Sequence, residues 1–293
     1  MRRYKAMRAI FEREVSSYYN GIQGYLCGAF ILLFAGIYTM GFNLTDGLAA
    51  FESVMSYMDF ILIIVIPILT MRIISEERRQ KTDQLLYSLP MSMTKIVIGK
   101  YFAMLVVLIL PLIVICAYPY ILSMYGDISL KTAYSAILAY FFLSAALASI
   151  GMFISSLTEN QGISAGICFI CMLVIYYGST LANFIPASGI ASLIAVASVI
   201  LLVGLILNSL IKNIAISAGV TAVLELILGG AYLLSPSSFE NLFPQIVSDL
   251  SVFDRFYIFT TGIFDITSLV YFLSITGVFL FLTVQSLEKR RWN

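Results

Sequence analysis

Histidine is absent from the 293 residues, and only 11% of them carry charge. Without histidine there is no H-E-x-x-H zinc motif and no Ser/His nucleophile pair. Nor does the sequence supply a pair of intramembrane aspartates. Asp59 is expected at the edge of its span and the other aspartates fall in loops, so intramembrane hydrolysis is excluded. A phosphate loop is missing too. Gly99-Lys100 resembles its end, but the motif needs glycine where Thr94 stands and Ser or Thr where Tyr101 stands. If the chain's work uses ATP, another subunit binds the nucleotide. Cysteine is scarce: Cys27, Cys116, Cys168 and Cys171 all lie in apolar sequence. The C-x-x-C of Cys168 and Cys171 sits mid-span with no further zinc ligands, so these read as buried thiols.

What is abundant is apolar sequence: 60% of the residues are hydrophobic and the mean hydropathy is +0.97. The fold class is therefore an all-α integral membrane protein, a polytopic helical bundle. Eight spans are expected: Ile22 to Phe42, Tyr57 to Ile74, Tyr101 to Tyr125, Thr132 to Leu157, Gly162 to Phe184, Ile190 to Ile211, Ile214 to Leu234 and Thr267 to Ser286. The uncharged part of the second is short, which places Asp59 at the outer interface and has Arg72 snorkel to the inner one. Pro67 is expected to kink the second span, and Pro111 and Pro119 the third. The first apolar run ends in Tyr-Thr-Met-Gly-Phe rather than an A-x-A-like site, so it is expected to be retained.

Charge asymmetry sets the orientation. With the N-terminus in the cytoplasm, 15 of the 17 Lys and Arg residues fall on the inner side, and only Lys131 and Arg255 fall outside. The positive-inside rule thus puts both termini in the cytoplasm, as an even number of spans requires. The net charge of +1 conceals this separation.

Two inner segments stand out. Tyr4, Met7, Phe11, Val15, Tyr18 and Tyr19 recur at helical spacing, giving residues 1–20 an amphipathic helix along the inner surface. It serves either as a membrane anchor or also as a grip on a partner. Residues 72–100 form the densest charged island, with six Lys/Arg and three acids. This segment reads as a helix leaving the membrane and ending at Pro90, then a second helix entering the third span. Leu85, Leu86, Tyr87 and Leu89 exposed together would need something to pack on.

The chain resembles a known family through Ile10 to Tyr25 (IFEREVSSYYNGIQGY), Pro67 to Pro90 (PILTMRIISEERRQKTDQLLYSLP), Ile96 to Ala103 (IVIGKYFA), Ile150 to Gln161 (IGMFISSLTENQ), Phe253 to Ser274 and Leu287 to Trp292. These are similar to the permease subunit of a type 2 ABC exporter, in the branch typified by gliding-motility-associated permeases. The resemblance implies a six-span core, so residues 190–234 add a helical pair. It implies a coupling elbow in which Glu76, Glu77, Arg78, Thr82, Leu85, Leu86 and Pro90 form or support contact with an ATPase subunit. It also implies two copies of an ABC ATP-binding subunit that bind ATP and Mg, a second permease chain, identical or homologous, and a place in a bacterial inner membrane. No cofactor in this chain and no nucleic-acid partner are expected. Residues 235–266 are expected to form an extracytoplasmic interfacial segment; within it Val247 to Phe264 correspond in such permeases to short helices dipping into the outer leaflet, and the residues themselves read as an aromatic interfacial segment.

Glu225 lies mid-span, where a charge costs about 2.5 to 3.5 kcal/mol on insertion scales. It needs a partner, for which Asn208 is the candidate, or a proton. It either lines a pathway, makes a regulatory contact, or pins two helices together. Small residues from Ser144 to Gly151, and Gly162-x-x-x-Gly166, suit close packing within one subunit or a dimer seam. The leading expectation is an ABC permease without an ATPase site of its own. An ATP-independent transporter using Glu225 and a non-transporting membrane scaffold are the alternatives.

Overall fold

A computed structural model describes residues 2–82, 92–186, 188–211 and 214–291. Among these there is no strand. The helices are α1 (Arg2–Asn20), α2 (Gln23–Tyr38), α3 (Phe51–Thr70), α4 (Ser75–Arg79), α5 (Met93–Ile115), α6 (Ala117–Leu122), α7 (Leu130–Leu157), α8 (Gln161–Ala182), α9 (Gly189–Ile211), α10 (Ile214–Leu234), α11 (Leu242–Asp249), α12 (Val252–Thr260) and α13 (Ile266–Arg291). A π-helical turn over Thr39–Thr45 extends α2, and a 3-10 turn over Pro236–Phe239 precedes α11.

Among the described residues, six segments are long and apolar enough to cross a membrane: Gln23–Thr45, Phe51–Arg79, Met93–Leu122, Leu130–Leu157, Gln161–Ala182 and Ile266–Arg290. The pair α9 and α10 is apolar as well, with shorter stretches over Gly189–Leu201 and Thr221–Leu234.

The chain divides into two compact units, residues 1–176 with 255–293, and residues 177–254. In the first, α3 and α7 form the centre: 67% and 78% of their apolar windows are buried, against 17% for α13. The small residues explain the close approach. Ser144, Ala145, Ala146, Ala148, Ser149 and Gly151 are all buried along α7. A Cβ at Gly151 would lie 2.5 Å from Thr70 Oγ1 on α3, so only glycine fits that crossing. Gly162 and Gly166 differ. The first meets only the Asn160 carboxamide of its own turn, and the second meets nothing within 4 Å. Their small faces are not used for packing among the described residues.

Pro111 sits inside α5, and the break at Cys116 before α6 follows from Pro119, which lacks the N–H to continue the ladder. Asp59 departs from expectation. It lies two turns inside α3, is 1% exposed, and accepts a hydrogen bond from the Tyr257 hydroxyl of α12. The helix starts at Phe51, six residues earlier than the charge pattern suggested, because Glu52 is tolerated in its first turn. Beside it, Tyr140 of α7 donates to the Met58 carbonyl and packs edge-on against Phe256 at 6.1 Å. Tyr257 thereby ties α12 to α3, a link with no sequence signal.

The second unit is built on the α9–α10 pair. A Cβ at Gly204 would lie 2.2 Å from Thr221 Oγ1, which sets how closely the two helices pack. Tyr232 and Phe239 meet edge-on at 5.3 Å and close the pair against the 3-10 turn.

Candidate functional site

The charged island begins where α3 ends. A helix leaves its last four carbonyls without partners in the helix, and here each finds one. Pro67 O accepts from Met71 N at 3.0 Å and Thr70 O from Ile73 N at 3.3 Å. Leu69 O accepts from the Tyr18 hydroxyl at 3.0 Å, and Ile68 O from the Gln23 carboxamide. The chain then turns over residues 71–74, and Ser155 Oγ of α7 accepts from Ile74 N at 3.3 Å and Ser75 N at 3.2 Å. The joint between α3 and α4 is thus held by the α1–α2 corner on one side and by α7 on the other.

Charge completes the clamp. Lys100 of α5, with a side chain only 2% exposed, donates to Glu14 Oε1 at 2.9 Å and to the Ile73 carbonyl at 3.0 Å. Its ammonium also lies 2.9 Å from Glu77 Oε1. Arg13 joins the same two acids, at 3.0 Å from Glu14 and 2.6 Å from Glu77. Burial works against the Arg13 charge, but the two carboxylates outweigh it and raise its pKa above the ordinary arginine value. Two cations and two anions therefore balance around a small volume, joining α1, α4 and α5. An open polar cavity of about 350 Å³ adjoins them, flanked by Glu76, Gln80 and Thr82.

Arg78 anchors the other side of α4. It is 6% exposed and points its planar fork at the end of α7, donating to Ser156 O at 2.8 Å, Thr158 O at 2.9 Å and Glu159 Oε1 at 2.8 Å. Those carbonyls are among the unpartnered groups at a helix C-terminus, where a cation is favoured. Arg290 of α13 approaches the same place, 3.7 Å from Glu159.

Of the residues expected in the elbow, Glu77 and Arg78 face inward and hold α4 to its neighbours. Glu76 forms a forked pair with Arg72 at 2.7 and 2.8 Å, and Thr82 donates to the Glu77 carbonyl at 3.2 Å. Leu85, Leu86 and Pro90 lie outside the described residues, as does Asp83. Sequence reasoning missed Glu14 and Lys100. The signal for Glu14 was present: Ile10, Glu14 and Tyr18 recur every four residues as the buried stripe of α1. The Gly99-Lys100 pair that failed as a phosphate loop is structural here. Gly99 sits under α1, where an added Cβ would be 3.4 Å from Ile10, and Lys100 reaches the acids.

Glu225 stands apart on α10. Its Oε1 is buried and has no hydrogen-bond partner among the described residues. Asn208 falls on α9, but its side chain lies outside the described set, so no pairing between the two is assigned. None of the four cysteines is in a disulfide, and Cys168 lies 3.8 Å from Thr70 Oγ1 inside the core. No cluster of His, Cys, Asp or Glu suited to a metal ion occurs among the described residues.

No curated protein matches the sequence significantly. The family described as ABC-2 family transporter protein matches residues 10–291, nearly the whole chain, and includes α2 to α13 and the clamped elbow. The chain accordingly belongs to the ABC-2 transporter family: it is a multi-pass membrane protein, the permease subunit of an ABC transporter that partners an ABC ATP-binding subunit.

Proposed function

We propose that this permease belongs to an ATP-driven exporter of the gliding-motility-associated type, and that residues 72–100 couple it to the ATPase. Two ATP-binding subunits hold ATP and Mg, and this chain pairs with a second permease, identical or homologous. Both termini and the elbow face the cytoplasm, following the charge asymmetry. Leu85, Leu86 and Pro90 supply the docking surface. Glu76, Glu77, Arg78 and Thr82 support it from behind, and the chain has no ATPase site of its own.

The observation that carries this reading is the clamp: Lys100, Glu14, Glu77 and Arg78 fix α4 to α1, α5 and α7 at once. A rigidly rooted elbow passes a push on to the helices, whereas a loosely tethered loop would absorb it. ATP-driven closure of the partner subunits would thus tilt α3 and α5. The test is purification of the complex carrying Leu86→Asp. Loss of the ATPase partner with normal membrane insertion is expected. A wild-type complex without an ATPase, or a variant that keeps both partner and ATP hydrolysis, contradicts it.

One observation favours a second reading, ATP-independent transport through Glu225: a buried oxygen of its carboxyl has no partner among the described residues. That reading requires flux without ATP that is lost in Glu225→Gln.

A further inference from the structure

An apolar groove of about 510 Å³ runs between α1 and α5, closed at its far end by Phe141 of α7. Met7 and Phe11 form one wall, and Phe102, Val106 and Ile109 form the other. Its lining is almost wholly apolar, yet Phe102 is 50% exposed and Ile109 39% exposed, so nothing among the described residues covers it. On α5 the spacing Lys95, Gly99, Phe102, Val106, Ile109 alternates four and three, which places all five on one stripe of the helix.

Length and charge together select the occupant. From Gly99 to Ile109 the stripe extends about 15 Å at 1.5 Å per residue, about half of a 30 Å hydrocarbon core, which is one leaflet's acyl layer. At the end nearer the elbow, Arg8 lines the groove, and Lys95 lies one turn below Gly99. The Lys95 ammonium forms no ion pair among the described residues. Arg8 pairs with Glu12 at 2.7 Å, but both side chains are more than half exposed, so that pair exchanges readily with another anion. Gly99 keeps α1 close to α5 and so shapes the cleft.

We infer that this groove seats one acyl chain of an anionic phospholipid from the leaflet on the elbow side, with the lipid phosphate held between Arg8 and Lys95. Such a lipid would fill the cleft behind α1 and hold that helix, and the Glu14 it carries, against α5. The inference does not depend on the direction of transport or on ATP coupling.

The test uses the full chain in nanodiscs with spin-labelled phosphatidylglycerol or phosphatidylcholine, reading the motionally restricted fraction. Wild type is expected to retain phosphatidylglycerol at least about fivefold over phosphatidylcholine, since each of Arg8 and Lys95 contributes about that factor near the membrane surface. Lys95→Glu should bring the ratio to about one, and Val106→Trp should release both lipids by filling the groove. Equal retention of the two lipids by wild type, or a ratio that survives Lys95→Glu, overturns the proposal. So does a disulfide joining two copies through Val106→Cys, which would make the groove a contact between chains. Lys95 is partly exposed and has no ion pair among the described residues, so its variant keeps the test valid if the tryptophan variant fails to fold.

Discussion

Two of the places where this chain buries carboxylate oxygens are built on opposite principles. At the root of the elbow, Glu14 and Glu77 meet Lys100 and Arg13, and the Ile73 carbonyl takes a further Lys100 hydrogen bond. In the α9–α10 pair, Glu225 Oε1 meets no partner among the described residues. Removing one member of a satisfied buried network exposes the others to an unbalanced interior and is strongly destabilising. Removing a group whose buried oxygen has no partner among the described residues forfeits little. The elbow's charges hold geometry, whereas among the described residues no ion pair of Glu225 holds its helices.

Mutations can break or sharpen this contrast. Lys100→Met should cost about 3 to 5 kcal/mol, the range for breaking a buried pair, and lower the thermal melting midpoint in detergent more than any other single change at the elbow. A Lys100→Met variant that melts at the wild-type midpoint would break the contrast. Arg78→Lys keeps the charge but loses the fork on Ser156 and Thr158, at about 1 to 3 kcal/mol for a carbonyl left unsatisfied. Faster protease cleavage after residue 79 would report it.

Gly151→Ala separates packing from charge. Its Cβ would overlap Thr70, an overpacking expected to cost about 1 to 3 kcal/mol. Adding Thr70→Ala should recover most of the loss, because Thr70 Oγ1 and Cγ2 are the nearest obstructing atoms at 2.5 and 2.8 Å. Glu225→Gln is the smallest expected effect, within about 0.5 kcal/mol by the same melting measurement. A large loss there would mean that Glu225 is paired after all and would erase the distinction between the two regions.

Much of this was legible in the sequence, and what escaped has physical causes. Long apolar runs with charge at their ends give helices and spans because the bilayer leaves the backbone no other way to satisfy itself. A helix through Glu76, Glu77 and Arg78 read correctly. The roles of Glu77 and Arg78 did not. A charge run looks solvated until partners 64 to 86 residues away are brought to it: Arg13 to Glu77, Glu159 to Arg78 and Glu14 to Lys100. Asp59 escaped for the same reason, since its Tyr257 partner lies 198 residues further on. Tyr18 reads in the sequence as part of a lipid-facing stripe, yet its hydroxyl caps α3, and α1 turns its Ile10, Glu14 and Tyr18 stripe to the protein interior.

In the proposed coupling, motion at the elbow reaches the far end of α3 through the Lys100 clamp. The direct measurement is electron paramagnetic resonance of a spin label at Tyr57→Cys, an exposed position in the first half of α3, in a background without the four native cysteines. The complex with its ATPase partner is compared with and without ATP. The account predicts a change in the wild-type spectrum on ATP binding that disappears in Lys100→Met while the ATPase stays bound. The same change in both proteins would contradict it.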